Sequence, residues 1–301
     1  MPIVESESLA QGGPFVYNTS VLLLLTIACG PPDALLRPNK VAVAADKTLF
    51  VSDFHHHRVV HFSADGAHLG QVGRAGVGAG RIWQPTAMFS TSQGLVVVDR
   101  EPTRDEVALQ FVVKTFLNGE EPAAVIIEGE QETNWVDDLV LNADGSWYAS
   151  DTTSQQIERW SPDWSEESVF LSGVKASSLV RDGNALYLVD GFSHVLTRLD
   201  TNGRVLWRNA GELSFPNGMD VCPGEWLAVA DMGNHRVARF SLTGVFLDAV
   251  VPAPLGPDIP VQIVDVAVAP DCQSVWIVDS KGSRVIQTSL DGQVLVTISS
   301  W

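Results

Sequence analysis

Short apolar segments that end in aspartate recur six times along the chain, at intervals of 39 to 52 residues. The first such segment is LFVSD and the last is VWIVD, and both have the length and the β-branched content of a strand. The six terminal residues, which we call the landmark aspartates, are Asp53, Asp99, Asp151, Asp190, Asp231 and Asp279. A unit that repeats at this spacing predicts a repeat architecture.

Each unit contains more than the landmark strand. A polar loop and a β-branched strand follow it, and several units then show an Asp-Gly, Asn-Gly or Thr-Gly turn, where glycine accepts the positive φ of a tight reversal. An almost uniformly apolar segment precedes it, as at residues 41–43 and 266–268, which is typical of a strand buried on both faces. Six units of four antiparallel strands predict an all-β, six-bladed β-propeller around a central channel. A solenoid is the alternative.

We expect residues 15–301 to form a single propeller domain, preceded by a tail at residues 1–14 with little structure. Residues 15–35 contain an apolar strand and a Gly-Pro loop, which makes them one candidate for the strand that closes the last blade. Residues 284–299 are the other candidate, because they supply a third and a fourth strand from the opposite end of the chain. Closure is required because an open ring exposes unpaired strand edges.

The apolar run at residues 21–28 ends at Cys29 and is too short for a membrane span, which needs about 20 residues. The residues before it include Glu5 and Glu7 but no lysine or arginine, unlike the basic leader of a secretory signal. We expect a buried strand here, with export or lipid attachment at Cys29 as the alternatives. The compartment is left open.

The composition of the chain excludes some classes of binding partner. The chain has 36 acidic and 19 basic residues, and a net charge of −17 repels nucleic acid and anionic membranes. Three cysteines without a CxxC pair are too few for a disulfide scaffold or a structural zinc site. Cys222 and Cys272 fall in equivalent turns of neighbouring units, where they form a disulfide or remain free thiols. Trp147, Trp226 and Trp276 are expected to pack between blades.

The first and fifth units resemble NHL repeats. The segments that carry the resemblance are PNKVAVAADKTLFVSDFHHHRVVHFSADG and FPNGMDVCPGEWLAVADMGNHRVARFSLTG, and the second contains NHRV at residues 234–237. The resemblance covers about residues 36–300 and is weakest in the second to fourth units, where Gln156 and His194 precede the strand in place of arginine. It implies a six-bladed propeller, an architecture that hosts enzymes and binding modules alike.

Counting back fourteen residues from a landmark aspartate, or thirteen in the second unit, gives the residue that should open the innermost strand. Radial symmetry brings these residues together at one mouth of the channel. They are Asn39, Thr86, Asp137, Ala176 (or its neighbour Ser177), Asn217 and Asp265. Converging carboxylate and amide oxygens suit a hard divalent cation. The alternative is that these side chains only bond nearby backbone amides, as they commonly do in turns.

Pro216-Asn217-Gly218 also resembles a motif of the gluconolactonase and senescence-marker family, whose six-bladed members hold a divalent metal on the axis. The resemblance implies Ca²⁺, Mg²⁺, Mn²⁺ or Zn²⁺ bound by Asn217 and Asp265, and the ring adds Asn39 and Asp137 as further ligands. Asp265 or Asp137 would then be the base in ester or lactone hydrolysis. The family's Glu-Gly-Pro signature is absent, because Asn39 stands at the opening of the first unit.

Other residues of the mouth face are candidates for ligand contact. His57, His194 and His235 share one position in three units, and a histidine-held zinc is the alternative role for them. None of the six opening residues is histidine, unlike the peptide-amidating lyase relatives of this repeat family. Residues 100–106, which include Arg104, form an insertion over the same face, either as a specificity loop or as a solvated charged loop.

The landmark aspartates themselves are expected to be structural, because one active site does not need six copies of a residue. They should accept hydrogen bonds from the following loop or pair with the arginine of the repeat, as in Arg58, Arg236 and Arg284. Two functions of different classes remain. The first is a non-catalytic propeller that binds a small molecule, peptide or protein at the channel mouth. The alternative is a divalent-metal-dependent hydrolase.

Overall fold

The computed structural model describes residues 33–103, 109–118, 121–127, 136–253 and 261–301. Over these residues the chain forms six four-stranded antiparallel sheets and two short 3₁₀ turns. Residues 74–75 and 81–82 add a small parallel pair, β5 (Arg74–Ala75) and β6 (Arg81–Ile82). No helix in these ranges has the length and apolar character needed to cross a membrane.

The first three blades each use consecutive strands. Blade 1 comprises β1 (Pro38–Val43), β2 (Leu49–Asp53), β3 (Arg58–Phe62) and β4 (His68–Val72). Blade 2 comprises β7 (Pro85–Thr91), β8 (Gly94–Pro102), β9 (Leu109–Leu117) and β10 (Ala123–Ile127). Blade 3 comprises β11 (Val136–Leu141), β12 (Trp147–Asp151), β13 (Gln156–Trp160) and β14 (Glu167–Ser172).

The last three blades follow the same order. Blade 4 comprises β15 (Ala176–Asp182), β16 (Ala185–Asp190), β17 (Val195–Leu199) and β18 (Val205–Ala210). Blade 5 comprises β19 (Pro216–Cys222), β20 (Trp226–Asp231), β21 (Arg236–Ser241) and β22 (Phe246–Val250). Blade 6 comprises β23 (Ile263–Val268), β24 (Ser274–Asp279), β25 (Arg284–Ser289) and β26 (Val294–Ile298). The prediction of an all-β six-bladed propeller is confirmed.

The hydrophobic core is divided among the interfaces between blades. Six clusters of buried apolar residues join the six pairs of neighbouring blades, including the pair formed by blades 6 and 1. Trp147, Trp226 and Trp276 are buried in three of these clusters, as predicted. Because burial of apolar area stabilises every interface in the same way, the packing between blades 6 and 1 closes the ring.

The chain end builds the outer strands of the last blade. All four strands of blade 6 come from residues 263–298. The described end of the 15–35 segment joins this blade through a bridge between Ala34 and Ser300, and the Trp301 amide donates a hydrogen bond to the Asp33 carbonyl at 2.8 Å. Residues 1–32 lie outside the described ranges, and with them the expected tail, the apolar run and Cys29.

In blades 1, 5 and 6 the landmark aspartate links the segment before the first strand to the arginine of the third strand. In blade 5, Asp231 Oδ1 accepts a hydrogen bond from the Ser214 amide at 2.7 Å, and Oδ2 pairs with Arg236 Nε at 2.8 Å. Asp53 and Asp279 repeat the pair with Arg58 and Arg284 at the same distance. The predicted structural role is therefore present in the contacts.

In blade 2 the landmark aspartate pairs with a lysine instead of an arginine. Asp99 pairs with the buried Lys114 at 2.5 Å, and Glu101 accepts a second bond from that ammonium at 2.9 Å. Lys114 lies on β9, two residues beyond the one that pairs with Asp99 in the ladder. The position of the arginine in the repeat therefore does not predict the counter-ion of Asp99.

Asp231→Asn is expected to lower the free energy of unfolding by about 2 kcal/mol, because it removes the charge from three partly buried hydrogen bonds, which Ser214, Asn234 and Arg236 donate. Chemical denaturation measures the change. Asp248→Asn is the matched control, since Asp248 pairs with Arg239 at 2.5 Å but is half exposed. The control should lose less than about 1 kcal/mol. Equal losses in both variants would contradict the structural role of the landmark position.

Cys222 and Cys272 form a disulfide between the turns of blades 5 and 6 that lie away from the innermost strand openings. Their Cα atoms are 5.6 Å apart and 50 residues separate them in sequence. Of the two alternatives that the sequence left open, the structure has the bridge.

Candidate functional site

Each innermost strand begins with a register shift that follows its pairing with the landmark aspartate. Such a bulge changes the direction of a side chain relative to the strand. The residues at this position in blades 1 to 6 are Asn39, Thr86, Asp137, Ser177, Asn217 and Val264. Because the blades are arranged radially, these six positions meet at one mouth of the channel.

A pocket of about 300 Å³ occupies this mouth, and all six bulge residues line it. The structure thus brings together four residues that the sequence placed in the ring, Asn39, Thr86, Asp137 and Asn217. The polar neighbour Ser177 takes the position in blade 4. Arg37, Lys40, Phe54, His55 and Ser280 complete the lining.

Asp265 lies outside this pocket. It follows the bulge of blade 6 by one residue and lines the interior of the channel, and Val264 is the residue at the mouth. The reason is the length of the hairpin between bulge and landmark aspartate, which is one residue longer in blade 6 than in blades 1, 3 and 5. A count of fourteen residues back from Asp279 therefore gives Asp265, one residue beyond the bulge residue Val264.

Most polar side chains of the mouth bond to backbone groups. Asn39 Nδ2 donates to the Pro85 carbonyl of the next blade at 3.1 Å, and Ser177 Oγ donates to the Pro216 carbonyl at 3.2 Å. Asp137 Oδ2 accepts a hydrogen bond from the Thr152 amide at 3.1 Å. Much of the polar ring therefore performs the turn chemistry that the sequence offered as an alternative to a metal site.

Lys40 separates the mouth from the channel, since it lines both the mouth pocket and a cavity of about 380 Å³ below it. Burial alone would lower the pKa of Lys40, but the carboxylates of Asp138, Asp265 and Asp137 raise it above its ordinary value. Lys40 is therefore a cation at neutral pH. Sequence reasoning missed it, although a lysine in the otherwise apolar strand KVAVAA is an available signal.

Two channel carboxylates, Asp138 and Asp220, were also missed, and like Asp265 each joins two blades. Asp138 accepts a hydrogen bond from the Leu179 amide at 3.0 Å, and Asp220 accepts one from the Val268 amide at 2.6 Å. Asp265 accepts one from the Val41 amide at 2.9 Å, across the junction of blades 6 and 1. These amides lie on the free inner edges of the sheets, where they would otherwise lack protein partners.

The lack of a side chain at Gly218 leaves the space that the Asp265 carboxylate occupies. A Cβ added at Gly218 would lie 1.8 Å from Asp265 Oδ1, so the carboxylate occupies the space that a larger residue would need. Asn217 and Asp265 thus belong to different levels of the channel. Among the described residues, no group of three or more His, Cys, Asp or Glu side chains is placed to hold a metal ion.

Burial raises the pKa of Asp137 and Asp220 to about 6 and that of Asp265 to about 7. An aspartate in the unfolded chain has a pKa near 3.9, so the folded protein holds protons that the unfolded chain releases between about pH 4 and pH 7. The stability that these protons contribute is complete below pH 4 and disappears as the pH rises through the folded values.

We therefore expect the free energy of unfolding to be higher near pH 5 than near pH 8, by about 5 kcal/mol. Urea denaturation at the two pH values measures this difference, and Asp265→Asn should reduce it. A protein that is equally stable at both values, or more stable near pH 8, would contradict the burial of these carboxylates in their protonated form.

The three repeat histidines contact the neighbouring blade. His57 Nδ1 bonds to the Trp83 carbonyl, and His235 Nδ1 lies 2.9 Å from the Val261 carbonyl. The ring of His194 packs against Phe215 with 4.5 Å between centroids. These residues lie outside the mouth pocket, whereas His55, two residues before His57, lines it.

The insertion of the second unit extends a hairpin. β8 and β9 remain paired beyond Asp99 as far as Pro102 and Leu109, three pairs further than the landmark position. Arg104 falls within residues 104–108, outside the described ranges, so its expected place over the mouth stays a prediction.

Comparison with known families agrees with this architecture. The family model described as NHL repeat matches residues 35–62, which include β1 to β3 of blade 1. The chain is a six-bladed β-propeller, and its first blade matches the NHL repeat. No curated protein sequence matches the whole chain or part of it.

Among the solved structures similar to this propeller are two lyases. A streptogramin B lyase structure has a TM-score of 0.59 and 10% identity over 90% of this chain and 85% of that one. A catalytically inactive virginiamycin B lyase from Staphylococcus aureus with quinupristin has a TM-score of 0.57 and 10% identity over 90% of this chain and 86% of that one. At this identity the likeness shows the fold alone.

Proposed function

We propose that this NHL propeller is a non-catalytic scaffold that binds a small molecule, or a segment of a peptide or protein, in the mouth pocket. The observation that supports the proposal is the convergence of polar bulge residues from five blades, with Ser280 from the sixth, on one concave pocket of about 300 Å³. A pocket of this size with a few polar groups from separate elements is typical of a binding site.

The hydrolase alternative receives less support from the same residues. It needs oxygen ligands around a cation and a carboxylate free to act as a base. The ammonium of Lys40 instead lies near Asp137, Asp138 and Asp265, which raise its pKa. The nearest candidates for a base are also engaged, since Asp137 and Asp265 accept hydrogen bonds from backbone amides.

Filling the mouth tests the proposal. Asn217→Trp places an indole in the pocket, and no hydrogen bond of the Asn217 side chain is lost within the described residues. Saturation-transfer NMR with a fragment library should show fragments that bind the native protein and not this variant. Asn202→Trp, at an exposed turn of blade 4 away from the mouth, is the matched control and should bind as the native protein does. Fragment binding that persists in Asn217→Trp would contradict the proposal.

Metal analysis distinguishes the binding scaffold from the metal-dependent hydrolase. The scaffold proposal predicts less than about 0.1 equivalent of Ca²⁺, Mg²⁺, Mn²⁺ or Zn²⁺ in protein purified without chelator. One tightly bound equivalent that disappears in Asn217→Ala or Asp265→Ala would instead favour the hydrolase.

A further inference from the structure

Arg37 is a cation of the mouth without a protein partner. Its side chain is exposed and lines the pocket, and the guanidinium makes no hydrogen bond or ion pair within the described ranges. Its backbone has a φ of 52° immediately before Pro38, in the left-handed region that disfavours a residue with a Cβ. Phe215 has a φ of 47° at the equivalent position of blade 5, so this backbone conformation belongs to the repeat, and blade 1 has an arginine there.

The surroundings of Arg37 make the pocket positive in an otherwise acidic protein. Lys40 and Arg37 face a single mouth carboxylate, Asp137, whereas the whole chain has a net charge of −17. Burial and the charge of Arg37 lower the pKa of His55, which is therefore neutral near pH 7. The ammonium of Lys40 is shared among three carboxylates, so Arg37 is the cation left for a ligand.

We propose that Arg37 anchors the carboxylate group of a small organic acid in the mouth pocket, beside the amide of Asn217 and the ring of Phe54. This inference rests on the proposed function and names its ligand class. A guanidinium presents two parallel N–H donors that match a carboxylate. A doubly charged phosphate fits less well, because one free cation does not balance it and the Asp137 carboxylate is nearby.

Phenylacetate is a suitable probe, with phenylacetamide as its neutral isostere and inorganic phosphate as the competing anion. Titration by NMR should show saturable binding of phenylacetate below about 10 mM and binding of phenylacetamide at least about tenfold weaker. Arg37→Gln should weaken phenylacetate about tenfold, and Arg37→Lys should restore part of the loss. Arg208→Gln, which removes an exposed arginine from the outer strand β18, should leave binding unchanged.

If Arg37 had only a structural role, replacing it would lower the melting temperature. The binding role predicts instead that Arg37→Gly, which relieves the left-handed backbone, abolishes binding without lowering the melting temperature. If Asn217→Trp abolishes phenylacetate binding but Arg37→Gln does not weaken it, the mouth binds ligands and the carboxylate subsite is wrong. If phosphate binds more tightly than phenylacetate, or no saturable binding occurs below about 10 mM, the inference is overturned. If Asn217→Trp binds phenylacetate normally, the proposed function itself fails.

Discussion

Replacing Trp276 by alanine lowers the free energy of unfolding by about 4 kcal/mol. Trp276 is only 2% exposed and packs in the cluster between blades 6 and 1, which also contains Leu49, Phe62 and Ile298. Its removal leaves a cavity between rigid sheets, and the neighbouring strands cannot collapse into it without breaking their ladders. Urea denaturation monitored by circular dichroism measures the loss.

Trp226→Ala is the matched control for this variant. Trp226 is the first residue of the second strand in blade 5 and is 6% exposed, within the cluster between blades 5 and 6. Blades 5 and 6 are consecutive in the chain, whereas blades 6 and 1 meet only because the ring closes. A closed ring therefore predicts losses of similar size. A loss below about 1 kcal/mol for Trp276→Ala, with a large loss for Trp226→Ala, would indicate an open ring.

Removing the bridge between Cys222 and Cys272 is expected to cost about 4 kcal/mol of stability, because it frees a loop of 50 residues in the unfolded chain. The double variant Cys222→Ser, Cys272→Ser should retain the fold, since both residues lie at turns away from the mouth. Denaturation of the native protein with and without dithiothreitol measures the contribution of the bridge.

The double variant also supplies the control. Reduced native protein and the double variant should unfold at the same urea concentration, and the reductant should have no effect on the variant. If the native protein is insensitive to dithiothreitol under unfolding conditions, no bridge links the two turns. The expected stabilisation would then have to come from packing at the interface alone.

Local spacing predicted the fold well. The six landmark strands follow from segments such as LFVSD and VWIVD, and the pairing of Asp231 with Arg236 spans only five residues. These features depend on strand propensity and tight turns, which neighbouring residues determine. The segment that closes the last blade could not be predicted from either end of the chain alone, because closure depends on contacts between the two ends.

The site was predicted only in part. The positions of Asn39 and Asn217 followed from a fixed count, but hairpin length varies by one residue and moved Asp265 into the channel. The Asp265 carboxylate finds its partner, the Val41 amide, 224 residues away in sequence. Contacts of that range depend on ring closure and on bulges, neither of which the hydrophobic pattern specifies.

The channel level and the mouth level have different chemistry. In the channel, Asp138, Asp220 and Asp265 are committed to the backbone amides of adjacent strands. At the mouth, Arg37 is free of such commitments and faces the pocket. We therefore expect substitution of Arg37 to change ligand binding, and substitution of the channel carboxylates to change stability.

A crystal structure of the protein soaked with phenylacetate tests the central claim most directly. We predict six sectors around one channel and a ligand at the opening where the bulged strands begin, with its carboxylate on the Arg37 guanidinium. Electron density for the ligand at the opposite end of the channel near Arg181, or on the outer strands, would contradict the account.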